Sequence, residues 1–221
     1  MRLVIFGPTG GTGRRLVERA IAEGHEVTAL VRNPSRMKAR HRRLKIVVGD
    51  AFHAAKVREA VAGNEAVISV LGSRQPSNPL YPHRPGDPHG PASAGSANII
   101  AAMEEHGLRR FVCQTAWGVG ESKQDPGFAG AFFMKLLVPP LLRDEYAEKE
   151  AQEKLLRESD LEWVIVRPML LTNGPWTNDY RVGLDLKPGR RPYISRADVA
   201  DFLMKQLADD TFIHKTPAIG Y

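Results

Sequence analysis

Residues 1–13 read MRLVIFGPTGGTG, and the way this stretch is built decides the fold. The apolar run Leu3, Val4, Ile5, Phe6 stops at Gly7. Gly10 and Gly13 follow at G-x-x-G-x-x-G spacing, and Arg14 to Glu23 then carries a helical pattern. The order is a buried strand, a glycine turn and a helix N-terminus. Such a unit points free backbone N–H groups, and the positive end of a helix dipole, at whatever sits in the turn. Gly7 permits the tight turn, Gly10 lets the backbone approach a ligand with no Cβ in the way, and Gly13 allows close packing of helix on strand. A pyrophosphate fits that description, so the N-terminal unit is expected to bind a nucleotide.

The second strand, EVTALV (Glu26 to Val31), bears on which nucleotide. A chain specific for NAD usually ends this strand with Asp or Glu, which accepts hydrogen bonds from the ribose 2′-OH. Here Arg32 stands in that place, with Arg36 and Lys38 close behind in RNPSRMK. A guanidinium pairs with a 2′-phosphate and stacks on adenine, so the expected cofactor is NADP(H). The run Arg40, His41, Arg42, Arg43 reads as a solvated basic loop.

Composition agrees with a compact enzyme. The chain has 221 residues, 43% of them hydrophobic, enough for one sizeable core, and residues 1–221 are expected to form a single domain. The formal charge is +6, but Lys and Arg are scattered with no aromatic-interleaved basic helix, so no nucleic-acid partner is expected. The lone cysteine, Cys113, rules out an intrachain disulfide and a Cys-rich metal site. No metal is expected. Strand one at the N-terminus leaves no room for a signal peptide, and no apolar run approaches a membrane span. A cytoplasmic chain with no membrane partner is the expectation.

Strands and helices alternate further on. Lys45 to Val48, Ala66 to Leu71, Arg110 to Gln114 and Leu161 to Val166 read as strands three to six. Val57 to Ala62, Ala92 to His106, Tyr146 to Ser159 and Arg196 to Ala208 read as helices, the last capped by Ser195. This pattern predicts an α/β fold of the Rossmann type: a doubly wound parallel sheet of order 3-2-1-4-5-6 with helices on both faces. Ligands should bind at the carboxyl ends of the strands, where the order reverses between strands one and four.

Two segments break the alternation. Residues 73–91, SRQPSNPLYPHRPGDPHGP, hold six prolines, too many for a helix. They read as a flap beside the site or as a surface excursion or dimer contact. Residues 117–143 include FAGAFFMKLLVPPLL, which reads as a core helix, a substrate wall or a partner contact. The substrate side is expected from about 73–91, 116–143 and 168–195.

At larger scale the chain resembles the atypical short-chain dehydrogenases/reductases, in the NAD(P)H-binding group that includes NmrA-like proteins and the flavin reductase/biliverdin reductase B type. The matching pieces are GPTGGTG, LVRNPSR, VVGDAF, VISVLGSR, SANIIAAMEEHGLRRFV, KEAQEKLLRESDLEWVIVRPMLL and YISRADVADFLMKQL, which run in order over nearly the whole chain. The resemblance implies that Gly7, Thr9, Gly10, Gly11, Thr12 and Gly13 hold the pyrophosphate, and that Arg32 and Arg36 hold the 2′-phosphate. It also implies that Asp50, with Ala51 or Phe52 beside it, meets the adenine. Leu71 and Gly72 would pass the adenine-side ribose and the pyrophosphate. Thr115 would bond a substrate carbonyl or the nicotinamide ribose, and Pro168, Met169 and Leu170 would line the nicotinamide pocket.

The family's catalytic Tyr-x-x-x-Lys, in which the tyrosine protonates a carbonyl and the lysine lowers its pKa, is broken here. Aligned on LLRESDLEW, Lys149 matches the family lysine, whereas Glu145 takes the tyrosine place. Tyr146 stands one residue too near Lys149, which leaves a displaced pair or a lone ribose-binding Lys149. Glu150 and Glu153 read as ordinary helix charges. A missing acid suits reduction of a flavin, whose second proton can come from solvent, while the protein supplies orientation. Trp117, Phe132, Phe133, Trp176 and Tyr180 are candidates to stack a planar acceptor, or plain core. His83 and His89 are loop histidines that would donate protons if the loop closed. The expected function is an NADPH-dependent reductase of a flavin (FMN or FAD as substrate) or another planar conjugated acceptor, monomeric or homodimeric. The alternative is a non-catalytic NADP(H) sensor of NmrA-like type acting through a protein partner.

Overall fold

A computed structural model describes residues 1–72, 91–120 and 143–221. Ten strands and five α-helices follow one another along these residues. In chain order they are β1 (Arg2–Phe6), α1 (Gly11–Ala22), β2 (Glu26–Val31), β3 (Leu44–Val48), α2 (Ala54–Val61), β4 (Ala66–Ser69), α3 (Pro91–Glu105) and β5 (Arg110–Gln114). Then come α4 (Arg143–Arg157), β6 (Glu162–Pro168), β7 (Leu170–Thr172), β8 (Arg181–Gly183), β9 (Tyr193–Ser195), α5 (Arg196–Lys205) and β10 (Ala218–Gly220).

The main sheet runs β3-β2-β1-β4-β5-β6-β10-β8. Its first six strands are parallel and stand in the expected 3-2-1-4-5-6 order. The sequence reading did not include the last two. β10 pairs parallel with β6 and antiparallel with β8, and β7 and β9 form a separate two-stranded sheet. The region from Leu170 to Ser195 therefore contains short strands of its own rather than loop alone.

Helices cover both faces, which explains why β1 is apolar at every buried position. Leu3 and Ile5 join a cluster with Leu16, Val17, Val199 and Leu203 of α1 and α5. Val4 and Phe6, pointing the other way, pack with Val57, Ile99, Met103 and Leu156 of α2, α3 and α4. Alternation along one strand thus feeds two cores. At roughly 25 cal/mol per Å² of apolar area, these two layers hold the fold, and they fix the strand ends where the glycine turn lies. Ser195 caps α5 as expected, its hydroxyl accepting from Asp198 N–H at 3.0 Å.

Candidate functional site: a glycine turn and the strand ends beside it

The turn after β1 sits where the strand order reverses, between β1 and β4. Gly7 has φ +80°, and a Cβ there would lie 2.6 Å from the Val70 carbonyl oxygen. No side chain satisfies both requirements. A Cβ on Gly13 would meet the Gly7 carbonyl oxygen at 2.1 Å and Pro8 Cα at 2.8 Å, so the start of α1 folds directly onto the turn. Gly10 is the N-cap of α1 and supplies no side-chain cap, and no acidic residue stands in the first turn. The first N–H groups of a helix have no intrahelical acceptor. Neither a capping side chain nor an acidic residue of the first turn fills that role, and such an arrangement accepts a phosphate.

The expected adenine-side residues converge next to this turn. Arg32 extends from the end of β2, exposed, with Nε 4.0 Å from Asp50 Oδ2 at the end of β3. Asn33 Oδ1 accepts from the Ser35 amide at 3.0 Å, closing a tight turn that carries Arg36, also exposed, on the same loop. Asp50 Oδ1 accepts from Phe52 N–H at 3.2 Å. Ala51 and Leu71 pack where a Cβ on Gly95 would be, at 3.1 and 2.9 Å, and Asn98 Nδ2 donates to the Ala51 carbonyl at 2.8 Å. Among the described residues nothing lies within 4 Å of a Cβ built on Gly72.

The ends of β5 and β6 carry a buried polar cluster. Thr115 Oγ1 donates to Glu153 Oε1 at 2.8 Å. Arg167 grips the same carboxylate with Nε and Nη2, and Arg157 Nη2 adds a contact at 3.2 Å. Thr115, Glu153 and Arg167 are each no more than 3% exposed. Glu153 is therefore not an ordinary helix charge, which corrects the sequence reading: α4 turns Glu148, Lys149, Gln152 and Glu153 inward. Ser93 of α3 donates to Glu148 at 3.1 Å, and Gln152 donates to Ser96 at 2.9 Å.

Lys149 is 6% exposed, and burial pushes its pKa below the usual lysine value against the pull of Glu145, Cys113 and Glu153. Tyr146, the other member of the candidate pair, has its hydroxyl turned to a backbone carbonyl, donating to that of Trp117 at 3.2 Å. Burial, then Glu145, pushes its pKa up. Cys113 is buried, and desolvation raises its pKa to about 12.

The candidate stacking residues separate. Trp117 is 3% exposed, packs with Met169 and Ala218, and donates its indole N–H to the Leu186 carbonyl at 3.1 Å. Its amide donates to the Pro168 carbonyl at 2.9 Å. Met169 lies against Gly220, while Leu170 is exposed. Trp176 is exposed on the outer side of α1, 5.1 Å from the Arg19 guanidinium, in a depression with Arg15, Glu18 and Asn173. Tyr180 bonds Asp201 and Lys205 and packs edge-on to Phe202, as part of the scaffold. Phe132, Phe133, His83 and His89 lie outside the described residues.

Two carboxylates of α5 that the sequence reading did not single out tie that helix to its neighbours. Asp198 accepts from Thr177 and Asn178 amides at 2.8 and 2.9 Å and from the hydroxyls of Thr177, Ser195 and Tyr221. Asp201 pairs with Arg19 and Lys205. Their spacing of three on one helix face was the available signal.

A family model described as NAD(P)H-binding matches residues 7–210. An uncharacterized chloroplastic protein of Arabidopsis thaliana is 27% identical over 184 residues, 80% of this chain and 62% of that protein. The chain thus spans under two thirds of that relative's length. Among solved structures, a short-chain dehydrogenase/reductase from Veillonella parvula in complex with NADP superposes with a TM-score of 0.81 at 20% identity, over 100% of this chain and 94% of that one. ChuY, an anaerobilin reductase from Escherichia coli O157:H7, does so at 0.77 and 22% identity, over 99% and 96%. At these identities the likeness is one of fold. Among the described residues no helix is long and apolar enough to cross a membrane.

Proposed function

The chain belongs to the NAD(P)H-binding family, and from that membership we propose that it is an NADPH-dependent oxidoreductase that passes hydride to a flavin or another planar conjugated acceptor. The uncapped first turn of α1, with Gly7 and Gly13 holding it against β1, would seat the pyrophosphate. Arg32 and Arg36 would take the 2′-phosphate, with Asp50 facing the adenine and Lys149 the nicotinamide-side ribose. The reduced nicotinamide, when bound, supplies a hydride.

The observation that carries the choice of acceptor is the engagement of both candidate hydroxyls. The Tyr146 hydroxyl donates to Trp117, and that of Thr115 to Glu153. Neither is free to protonate a ketone oxygen as it forms. A flavin needs no such donor: hydride goes to N5 and a solvent proton completes the reduced ring, so NADPH, flavin and one proton give NADP⁺ and dihydroflavin. The protein's part is to orient the two rings and exclude water between them. The same engagement also supports the second reading, a non-catalytic NADP(H) sensor that works through a protein partner.

One assay separates the two readings. Purified protein is mixed with NADPH and FMN, riboflavin or biliverdin, with NADH in parallel, and the NADPH absorbance is followed. Turnover with any of these acceptors, faster with NADPH than NADH, is the expected result. Tight NADPH binding with no oxidation by any acceptor overturns the reductase reading in favour of the sensor.

A further inference from the structure

We infer that Arg196 is a pyrophosphate-clamping residue, reaching from α5 across the first turn of α1 to the anion bound there. The inference rests on the dinucleotide reading above and adds to it a residue that lies outside the glycine turn.

The starting observation is Gly11. It is not one of the three glycines of the G-x-x-G-x-x-G spacing, and its φ is not positive, so turn geometry does not demand it. What it lacks room for is a side chain. A Cβ on Gly11 would lie 2.6 Å from Cδ and 2.7 Å from Nε of Arg196. Arg196 therefore lies flat on the first residue of α1, and glycine there is the condition for its doing so.

The electrostatics of that position are unfavourable without a ligand. Gly11 opens α1 and Arg196 opens α5, so the guanidinium stands beside the positive ends of two helix dipoles. Among the described residues no carboxylate lies within ion-pair distance of it. Its polar partner is neutral, Asn173 Oδ1, which accepts from Nη1 at 2.8 Å. Asn173 fixes the guanidinium without neutralising it. A half-buried cation held still at a place where the fold repels cations is a group arranged for an anion. The glycine turn beside it lacks acidic residues and a capping side chain, and it presents N–H donors to that same anion. A diphosphate bridge meets both sets of donors: backbone amides from below, and a planar charged fork from the flank.

The test compares wild type with Arg196→Gln and Arg196→Lys, reading dissociation constants for NADPH and for NADH by quenching of protein fluorescence, and melting temperature without ligand. The clamp predicts that Arg196→Gln weakens both dinucleotides by the same factor, on the order of ten- to a hundredfold. Arg196→Lys should recover part of the loss. The ligand-free melting temperature should hold or rise in Arg196→Gln. Loss confined to NADPH would move Arg196 to the 2′-phosphate and overturn the inference. Unchanged binding of both dinucleotides, or a fall of many degrees in melting temperature, would also overturn it, the latter making Arg196 a structural strap. In each of these cases wild type still binds and the dinucleotide reading stands. Wild type that binds neither dinucleotide overturns both.

Discussion

Thr115 and Glu153 are joined by a hydrogen bond of 2.8 Å between β5 and α4, with both side chains buried. The threonine that follows β5 therefore gives its proton inward, to a carboxylate already gripped by Arg167. This pair, rather than a tyrosine and a lysine, organises the strand ends. Removing the carboxylate takes away the charge that both arginines share. Glu153→Gln leaves a neutral amide where the Arg167 guanidinium met a carboxylate, and Glu153→Ala removes that group altogether. Loss of one partner from a buried ion pair typically destabilises by about 3–5 kcal/mol. Urea unfolding should show that order of loss for Glu153→Ala and a smaller one for Glu153→Gln. Thr115→Val should fall well below either, at about 1 kcal/mol.

Lys149 predicts the opposite sign. Its ammonium is buried, desolvation holds its pKa below the normal lysine value, and no side chain pairs with it at ion-pair distance among the described residues. Because the unfolded lysine binds its proton more tightly than the folded one, folding is disfavoured by this group wherever the unfolded chain keeps the proton and the native site resists it. Lys149→Met should therefore raise the ligand-free melting temperature by a few degrees, roughly 2–4 °C per kcal/mol for a chain of this size. It should also weaken dinucleotide binding. A lower melting temperature would show that the lysine is structural.

Arg32 carries the choice between the two dinucleotides. Reversing its charge places a carboxylate beside Asp50 at the end of β3, where it repels a 2′-phosphate and accepts from a 2′-OH. Arg32→Glu should weaken NADPH by at least tenfold while leaving NADH unchanged or tighter, read by titration of both. Equal weakening of the two would remove Arg32 from the 2′-phosphate.

Asp198 gives a pH dependence. Burial raises its pKa, but bonds from Tyr221, Thr177, Asn178 and Ser195 outweigh that and hold it below the ordinary aspartate value. Its stabilising contribution is then complete above the unfolded value of about 3.9 and is lost as pH falls through the lower folded value. Asp198→Asn should be less stable than wild type by ~1–3 kcal/mol at neutral pH. The gap should narrow as the pH is taken below about 3.9, in thermal melts across that range.

Cys113 should be silent. It is fully buried with its thiol pKa pushed to about 12, and the thiolate is the reactive form. A thiol reagent should find no group in the native protein and one after denaturation. Fast native labelling would mean that the core around β5 opens readily.

The parts of the fold that were legible are those whose residues state a backbone requirement. Gly7 and Gly13 declare a turn that a side chain cannot make, and LVIF declares a strand with two covered faces. The boundaries of β2 and β5 follow from their apolar runs, and Ser195 announces the start of α5. What the chain hides is which way a polar stripe faces. Glu148, Lys149, Gln152 and Glu153 lie at helical spacing, but that spacing is the same whether the stripe meets water or the core. Only Arg167, distant in sequence and ending an apolar strand, hints that a buried acid is needed. The strand at Ala218–Gly220 is hidden for another reason. Three residues carry no period, and their conformation is set by β6, not by themselves. For the site, the glycine turn and Arg32 were readable from type and spacing. Arg196 was not, because its meaning depends on a glycine far away in the chain.

That last strand also sets a timetable. β10 lies between β6 and β8 in the sheet, yet the ribosome makes it after both. Until residues 215–220 emerge, the outer edge of β6 and the strand β8 lack, among the described residues, the strand that joins them. Vectorial synthesis can complete the half of the sheet that holds the glycine turn early. The opposite half must wait with an open edge, the kind of surface on which nascent chains recruit chaperones or find one another.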